Sequence, residues 1–113
     1  MREPRDVSDY LKDMSDYAEK AIHLTEGMDF QAFAKDERTN LAVIRCLEVI
    51  GEAAKKVPAG FRKRHSEMPW AEAAGIRDIL IHDYVSINLK VVWKTVRQDL
   101  PILNKALSPL LKP

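Results

Sequence analysis

The segment from residue 77 to residue 84 concentrates side chains that can do chemistry. Arg77 carries a permanent charge and a planar fork of donors that matches phosphate oxygens. His82 can take or give a proton near neutral pH, and Tyr84 offers a phenol that can donate, accept or be modified. An arginine and a histidine are a minimal set for cleaving a phosphodiester without a metal. RNA brings its own nucleophile, the 2′-hydroxyl, so a protein need not supply one.

Helix geometry tests whether these side chains can converge. Arg77 and Tyr84 are seven residues apart, about 700°, and fall on nearly the same face of a helix. Asp78 and His82 are four apart, so Asp78 can hold the imidazole by a hydrogen bond. Arg77 and His82 lie about 140° from one another and do not converge on a straight helix. Either the helix ends or distorts near His82, or a site forms where two copies meet around a two-fold axis.

A plainer interpretation of the same residues stays open. Arg77 can lie on a solvated face, His82 can be a hydrogen-bonded core histidine, and Tyr84 can pack at a helix end. The pattern of residue types alone favours this interpretation over a catalytic one.

Apolar residues recur at helical spacing along almost the whole chain. A first helix, capped by Asp6 or Ser8 and closed at Gly27, carries the apolar stripe Tyr10, Met14, Tyr17, Ala21 and Leu24. A short connection through Phe30 and Phe33 follows. A second helix starts at Asp36, is stopped by Pro58 and Gly60, and carries Leu41, Ile44, Leu47, Ile50 and Ala54.

The second half of the chain continues the helical pattern. Residues 61–68 form a short helix or loop, and Pro69 stands in the first turn of a third helix that runs from Trp70 to about Tyr84. Ser86 or Asn88 begins a fourth helix, which Pro101 should kink or break. Its core stripe is Leu89, Trp93, Val96, Leu100, Leu103 and Leu107. We therefore expect residues 1–113 to form one all-α domain, an antiparallel bundle of four main helices with one or two short extra helices.

Composition narrows the class of protein. The 113 residues include 46% hydrophobic and 31% charged residues, and the formal net charge is +1, which is unlike a bulk nucleic-acid binder. Cys46 is the single cysteine, so it cannot form an intrachain disulfide, and we expect it to be a small buried side chain. No stretch resembles a signal peptide or a membrane helix, so the cytoplasm is the expected location. The histidines lack metal-ligand spacing, so we expect no metal.

Two further polar groups are candidates. The basic run that ends at His65 can guide RNA phosphates toward a cleft or can be a solvated surface, with candidate RNA-binding residues Lys55, Lys56, Arg62, Lys63 and Arg64. Glu48 and Glu52 share a face of the second helix. A hydrogen-bonding or interface role is expected for them rather than catalysis.

One family resemblance ties these features together. Pro69-Trp70, Gly75-Ile76-Arg77-Asp78, His82-Asp83-Tyr84 and Trp93 resemble the HepT-like toxins, which are HEPN-domain proteins. The hallmark of that group is an arginine, four to six residues, a histidine, any residue and a tyrosine. The stretch 45–54 is similar to the second helix of the family.

The resemblance implies a homodimeric, metal-independent endoribonuclease with its site at the dimer interface. Arg77 and His82 match the catalytic pair, and Asp78 supports them where many relatives have asparagine. Tyr84 matches the tyrosine that an MntA-like nucleotidyltransferase antitoxin modifies to O-AMP-tyrosine in a type VII toxin–antitoxin pair. RNA is the implied substrate and no cofactor is implied. The first alternative is a catalytically inactive HEPN module that binds nucleotide or substrate for a separate nucleotidyltransferase, and the second is a plain helical dimerisation domain.

Overall fold

The structure is a computed structural model, and it describes residues 5–81 and 87–111. His82, Asp83, Tyr84 and Ser86 lie outside the described residues, so the predictions that fall on them are not addressed by the fold. Helices follow one another along the described chain, with no strand among those residues, which confirms the all-α class. The helices are α1 (Val7–Leu24), α2 (Phe30–Lys35), α3 (Glu37–Lys56), α4 (Ala59–Arg64), α5 (Trp70–Gly75), α6 (Asp78–Ile81), α7 (Leu89–Lys94) and α8 (Leu100–Leu111).

Short-range caps set where α1 begins and ends. The Asp6 carboxylate accepts a hydrogen bond from the backbone N–H of Asp9, and the Asp9 carboxylate accepts one from the N–H of Asp6. This reciprocal capping box confirms Asp6, rather than Ser8, as the N-cap. The Ser8 hydroxyl donates to Asp6 and lowers the pKa of that carboxyl. Gly27 takes a φ of 76° just beyond the helix, a conformation that favours glycine.

The predicted apolar stripes of the first two helices are only partly correct. Leu24 and Leu41 are 39% and 55% exposed. The buried residues are Leu11, Met14, Ala18 and Ala21 on α1, and Val43, Cys46, Leu47, Ile50, Ala53 and Ala54 among those on α3. Both helices carry more apolar residues than one face can hold, so the neighbouring elements decide which face is covered.

The predicted connection through Phe30 and Phe33 is in fact helix α2. Asp29 caps it by accepting the backbone N–H of Ala32 at 2.8 Å. Phe33 is fully buried, and its ring centroid lies 5.2 Å from that of Trp93. A six-residue helix is thus held mainly by its buried aromatic ring, a tertiary contact that local spacing does not reveal.

Helix α3 starts at the residue that the sequence predicts. The Asp36 carboxylate accepts the N–H of Thr39 at 3.1 Å and so caps the helix. Helix α3 ends at Lys56, and Pro58 is the residue before α4. Gly60 lies inside α4 and does not stop α3, so that part of the prediction is wrong. Pro58 alone explains the end, because it cannot continue the helical hydrogen bonding.

The third helix is not continuous as predicted. Helix α5 ends at Gly75, a turn occupies Ile76 and Arg77, and α6 starts at Asp78. The backbone N–H of Leu80 donates to the carbonyl of Arg77 at 3.0 Å, so α6 is built on that turn. The angles expected for one straight helix therefore do not apply across residues 75–78.

Asn88 is one of the two residues predicted to cap the fourth helix, and it is the N-cap of α7. The Asn88 side chain accepts hydrogen bonds from the backbone N–H groups of Lys90 and Val91. A π-helical segment, Thr95–Asp99, separates α7 from α8. The N–H of Leu100 donates to the carbonyl of Thr95, five residues back. The sequence predicts a kink or break at Pro101, and the helix is in fact irregular one turn earlier, in this π-helical segment. The wider π-helical turn accommodates the ring of Pro101, which has no backbone N–H to donate.

The core lies where α1 packs against α3 and α8, with α5 packed on the far part of α3. The fourth-helix stripe is confirmed at Val96, Leu100, Leu103 and Leu107, which are buried, whereas Leu89 and Trp93 are half-buried. Cys46 is 5% exposed, as expected, and burial raises the pKa of its thiol. Within the described ranges, every helix is too short or too polar to cross a lipid bilayer.

Candidate functional site

Helix α5 is anchored at its start by Trp70. The indole is buried, and its Nε1–H donates to the backbone carbonyl of His65 at 2.9 Å. The Phe61 ring meets the indole edge-on at 6.1 Å between centroids. Ala73 and Ile76 bury the next turn against the core. Residues 76–78, which we call the corner, therefore follow directly on a helix that is well packed against the core.

Gly51 fixes the position of this corner against α3. A Cβ placed on Gly51 would lie 2.6 Å from the Cβ of Arg77 and 2.8 Å from its backbone nitrogen. These distances are closer than real side chains allow, and one of the opposing atoms is backbone. Only a residue without a Cβ lets the Arg77 backbone come this near to the helix.

The Arg77 guanidinium is held by an acid from the next residue of α3. Its Nη1 lies 2.8 Å from Oε1 of Glu52, and the two side chains are 39% and 46% exposed. A guanidinium presents five N–H donors in a planar fork, so a carboxylate and a second anion can bind along different edges. The pair therefore orients a charge that remains reachable from solvent.

Asp78 forms an ion pair with a lysine of α3, the helix that also provides Glu52. The Asp78 Oδ1 lies 3.7 Å from Nζ of Lys55, and the side chains of Asp78 and Lys55 are 65% and 41% exposed. The predicted role of Asp78 as a holder of the His82 imidazole falls on residues outside the described ranges. The contact that the structure does show links Asp78 to α3 instead. Gly51, Glu52 and Lys55 thus attach Arg77 and Asp78 to one stretch of α3.

The structure distributes the basic run over different surfaces. Lys55 pairs with Asp78, whereas Lys56 lines a groove between α1 and α3. The Arg62 guanidinium donates from Nε to the carbonyl of Val57 at 3.0 Å and closes the junction between α3 and α4. Lys63 and Arg64 are exposed on α4. A role in RNA binding stays a prediction for these residues.

A protein metal centre needs several ligating side chains close together. Across residues 5–81 and 87–111, no group of three or more histidine, cysteine, aspartate or glutamate side chains lies close enough to hold a metal ion. What the corner does present is a fixed and partly exposed guanidinium. Such a group can bind a phosphate and stabilise charge that builds on it.

Sequence reasoning missed Gly51 as a positioning residue and did not pair Glu52 with Arg77. A signal for Gly51 exists, because an isolated glycine in a helix costs about 1 kcal/mol relative to alanine and marks a close backbone approach when it is retained for packing. The partner across that approach lies 26 residues away in sequence. Helical periodicity carries no information about such a contact.

Known proteins resemble this chain over most of its length. The family model described as "Ribonuclease HepT-like" matches residues 14–110. A protein of Thermococcus cleftensis named "Probable ribonuclease HepT" is 43% identical over 108 residues, which cover 96% of this chain and 98% of the relative.

Two other relatives match over similar lengths. A candidate RNase of Methanocaldococcus jannaschii is 39% identical over 96% of this chain and 93% of its own. A candidate RNase of Caldanaerobacter subterraneus subsp. tengcongensis is 39% identical over 99% of this chain and 97% of its own. No solved structure matches the chain significantly. With a family match over most of its length and relatives near 40% identity, this chain belongs to the HepT-like ribonuclease family.

Proposed function

We propose that this protein is a metal-independent endoribonuclease that acts as a homodimer, with Arg77 and His82 as its catalytic pair. The observation that carries the proposal is the fixed position of Arg77, whose backbone lies against Gly51 and whose guanidinium is oriented by Glu52. A catalytic cation must be held in place before the reaction, and two contacts from α3 do this. The ribonuclease family of the chain supplies the substrate class.

The reaction uses the nucleophile that RNA carries. His82 accepts the proton of the 2′-hydroxyl as a general base, or donates a proton to the leaving 5′-oxygen as a general acid. The 2′-oxygen forms a bond to phosphorus while the bond to the 5′-oxygen breaks. Arg77 stabilises the charge that builds on the phosphate oxygens. The products are a 2′,3′-cyclic phosphate and a 5′-hydroxyl.

The homodimer is proposed because each protomer brings one His82, whereas the reaction needs both a general base and a general acid. Two copies that meet around a two-fold axis bring two histidines to one phosphate and can divide the acid and base roles. Asp78 acts in support by keeping the corner attached to Lys55 of α3. The cytoplasm is the proposed location of the reaction.

Regulation is proposed to act through Tyr84. An MntA-like nucleotidyltransferase antitoxin would transfer AMP from ATP to the Tyr84 phenol, which loses its proton as pyrophosphate leaves, as the family resemblance implies. The added phosphate carries negative charge and bulk seven residues after Arg77, where it competes with the RNA phosphate. This modification would make the protein the toxin of a type VII toxin–antitoxin pair.

A second candidate function is a HEPN module that binds nucleotide or substrate without cleaving it. The observation that favours it is the pair of carboxylates, Glu52 and Asp78, beside Arg77. Negative charge next to the guanidinium lowers its net attraction for phosphate. Tight nucleotide binding without cleavage would support this function.

Cleavage of a labelled RNA by purified variants tests the proposal. We expect His82→Ala and Arg77→Ala to fold and to lose cleavage, whereas His23→Ala and Arg38→Ala, changed at exposed positions, keep it. The wild-type protein should cleave equally well with excess chelator present. Undiminished cleavage by both site variants would sink the assignment, and strict dependence on added Mg²⁺ would contradict the metal-free mechanism.

A further inference from the structure

A groove of about 200 Å³ runs between α1 and α3, next to the Arg77 corner. Helix α3 contributes Arg45, Val49, Glu52 and Lys56 to it, at steps of four, three and four residues. This spacing places the four side chains in one stripe along the helix. Glu52 belongs both to this groove and to the ion pair with Arg77, so the groove is continuous with the candidate site.

Ion pairs neutralise the acids of the groove. Asp13 lies 2.7 Å from Nη2 of Arg5, and Glu52 lies 2.8 Å from Nη1 of Arg77. Arg45 and Lys56 are exposed, and neither forms an ion pair with a residue in the described part of the chain. The positive charges of Arg45 and Lys56, which lie near the two ends of the groove along α3, are therefore not compensated by an acid of the groove.

Apolar surface lies between these two cations. Ala53 is buried, Val49 is half-buried, and the half-buried phenol ring of Tyr10 comes from α1. The Arg5 guanidinium lies over the Tyr10 ring, 5.3 Å from its centroid, so this ring is already stacked. What the groove offers a nucleic acid is its spaced cations, which are the feature by which proteins follow the phosphate backbone of a single strand.

We propose that the groove between α1 and α3 is a subsite for the backbone of single-stranded RNA, in which Arg45 and Lys56 bind phosphates that flank the one at Arg77. This inference rests on the proposed ribonuclease function and extends it from one phosphate to a strand. It also explains how a chain with a formal net charge of +1 can bind RNA. The positive charge that matters is local, and the paired acids beside it contribute little.

Salt-dependent binding of a short fluorescent single-stranded RNA tests the subsite. The measurement uses the His82→Ala protein, so that the RNA stays intact. Each phosphate contact contributes a slope of about 0.7 to the plot of log affinity against log salt for a single strand. We expect Arg45→Ala with Lys56→Ala to lower this slope by about 1.4.

Matched variants separate this effect from a general loss of charge. Arg38→Ala with Lys105→Ala removes two exposed cations outside the groove and should leave the slope unchanged. Arg45→Lys with Lys56→Arg keeps the charges and should keep the slope. An equal slope for the groove variant and the Arg38/Lys105 control would overturn the proposal. The proposal would also be overturned if the groove variant kept its affinity for RNA and lost only its affinity for an acidic protein.

Cleavage assays distinguish this inference from the proposed function. In the otherwise wild-type protein, the groove variant should raise KM for RNA and leave kcat within about twofold, because the reacting groups are intact. If cleavage survives in His82→Ala, the proposed function fails, and the binding slope measured with an RNA whose 2′-hydroxyls are replaced by 2′-O-methyl groups still tests the groove. If cleavage needs His82 and KM is unchanged in the groove variant, the subsite fails and the ribonuclease function stands.

Discussion

The Cα of Gly51 faces Arg77 so closely that a methyl group on residue 51 would lie 2.6 Å from the Arg77 Cβ. The contact joins the C-terminal half of α3 to the turn between α5 and α6. Both partners are near-rigid, since one is a helix backbone and the other is a packed turn. The position of Arg77 is thereby set by the absence of a side chain at residue 51.

The first prediction concerns this contact. Alanine in a helix is favoured over glycine by about 0.5–1 kcal/mol, yet Gly51→Ala should destabilise the protein by about 1–3 kcal/mol because the overpacked corner must move. Urea unfolding measures the change in free energy. Gly75→Ala is the matched control, because a Cβ there meets nothing within 4 Å. If the two variants were equally stable, Gly51 would not be the residue that sets the corner.

Glu52→Gln should separate catalysis from stability. A half-exposed ion pair contributes at most about 1 kcal/mol, so the free energy of unfolding should change little. We expect kcat to fall by about ten- to a hundredfold, because the Arg77 guanidinium loses its fixed orientation. Lys55→Ala breaks the longer pair with Asp78 and should have the smaller effect. A higher kcat in Glu52→Gln would show that the carboxylate opposes the reaction.

The stability of the protein should fall at alkaline pH in a way that depends on Cys46. Burial raises the pKa of this thiol above its ordinary value of 9.0, so the unfolded chain releases the proton first. The resulting stabilisation is complete below pH 9 and is lost as the pH rises through the folded-state pKa, by up to about 1.4 kcal/mol per pH unit. The pH dependence of urea unfolding should be shallower in Cys46→Ala. Equal curves for both proteins would show that the thiol ionises alike in both states.

Co-expression with a nucleotidyltransferase of the MntA type should add AMP to Tyr84. Intact-mass measurement should show increments of one or more AMP units on the wild-type protein, and Tyr84→Phe should remove them because the phenol oxygen is the acceptor. The chain has two other tyrosines, Tyr10 and Tyr17, so Tyr10→Phe and Tyr17→Phe are the controls. Increments that persist in Tyr84→Phe would place the modification elsewhere.

The sequence predicts those features of the fold that short-range contacts determine. Asp6, Asp36 and Asn88 cap helices through hydrogen bonds to N–H groups two or three residues away, and the sequence predicts each position, two of them as one of two choices. The all-α class follows in the same way from apolar residues at helical spacing.

Features that depend on distant residues are not predictable in this way. The break at Ile76 and Arg77 interrupts a pattern that is helical on both sides, and it coincides with the approach of Arg77 to Gly51. The pair between Glu52 and Arg77 has the same origin. The residue types of the candidate site are thus readable from the sequence, whereas the contacts that hold Arg77 come from packing between α3 and α5.

The two tryptophans give the protein separate optical reporters. Trp70 is buried below the Arg77 corner, and Trp93 lies half-buried against Phe33 of α2. They are the only two in the chain, so replacing Trp93 with phenylalanine leaves an emission signal that belongs to the corner alone. Binding of RNA or attachment of AMP can then be followed in the Trp93→Phe protein without an added label.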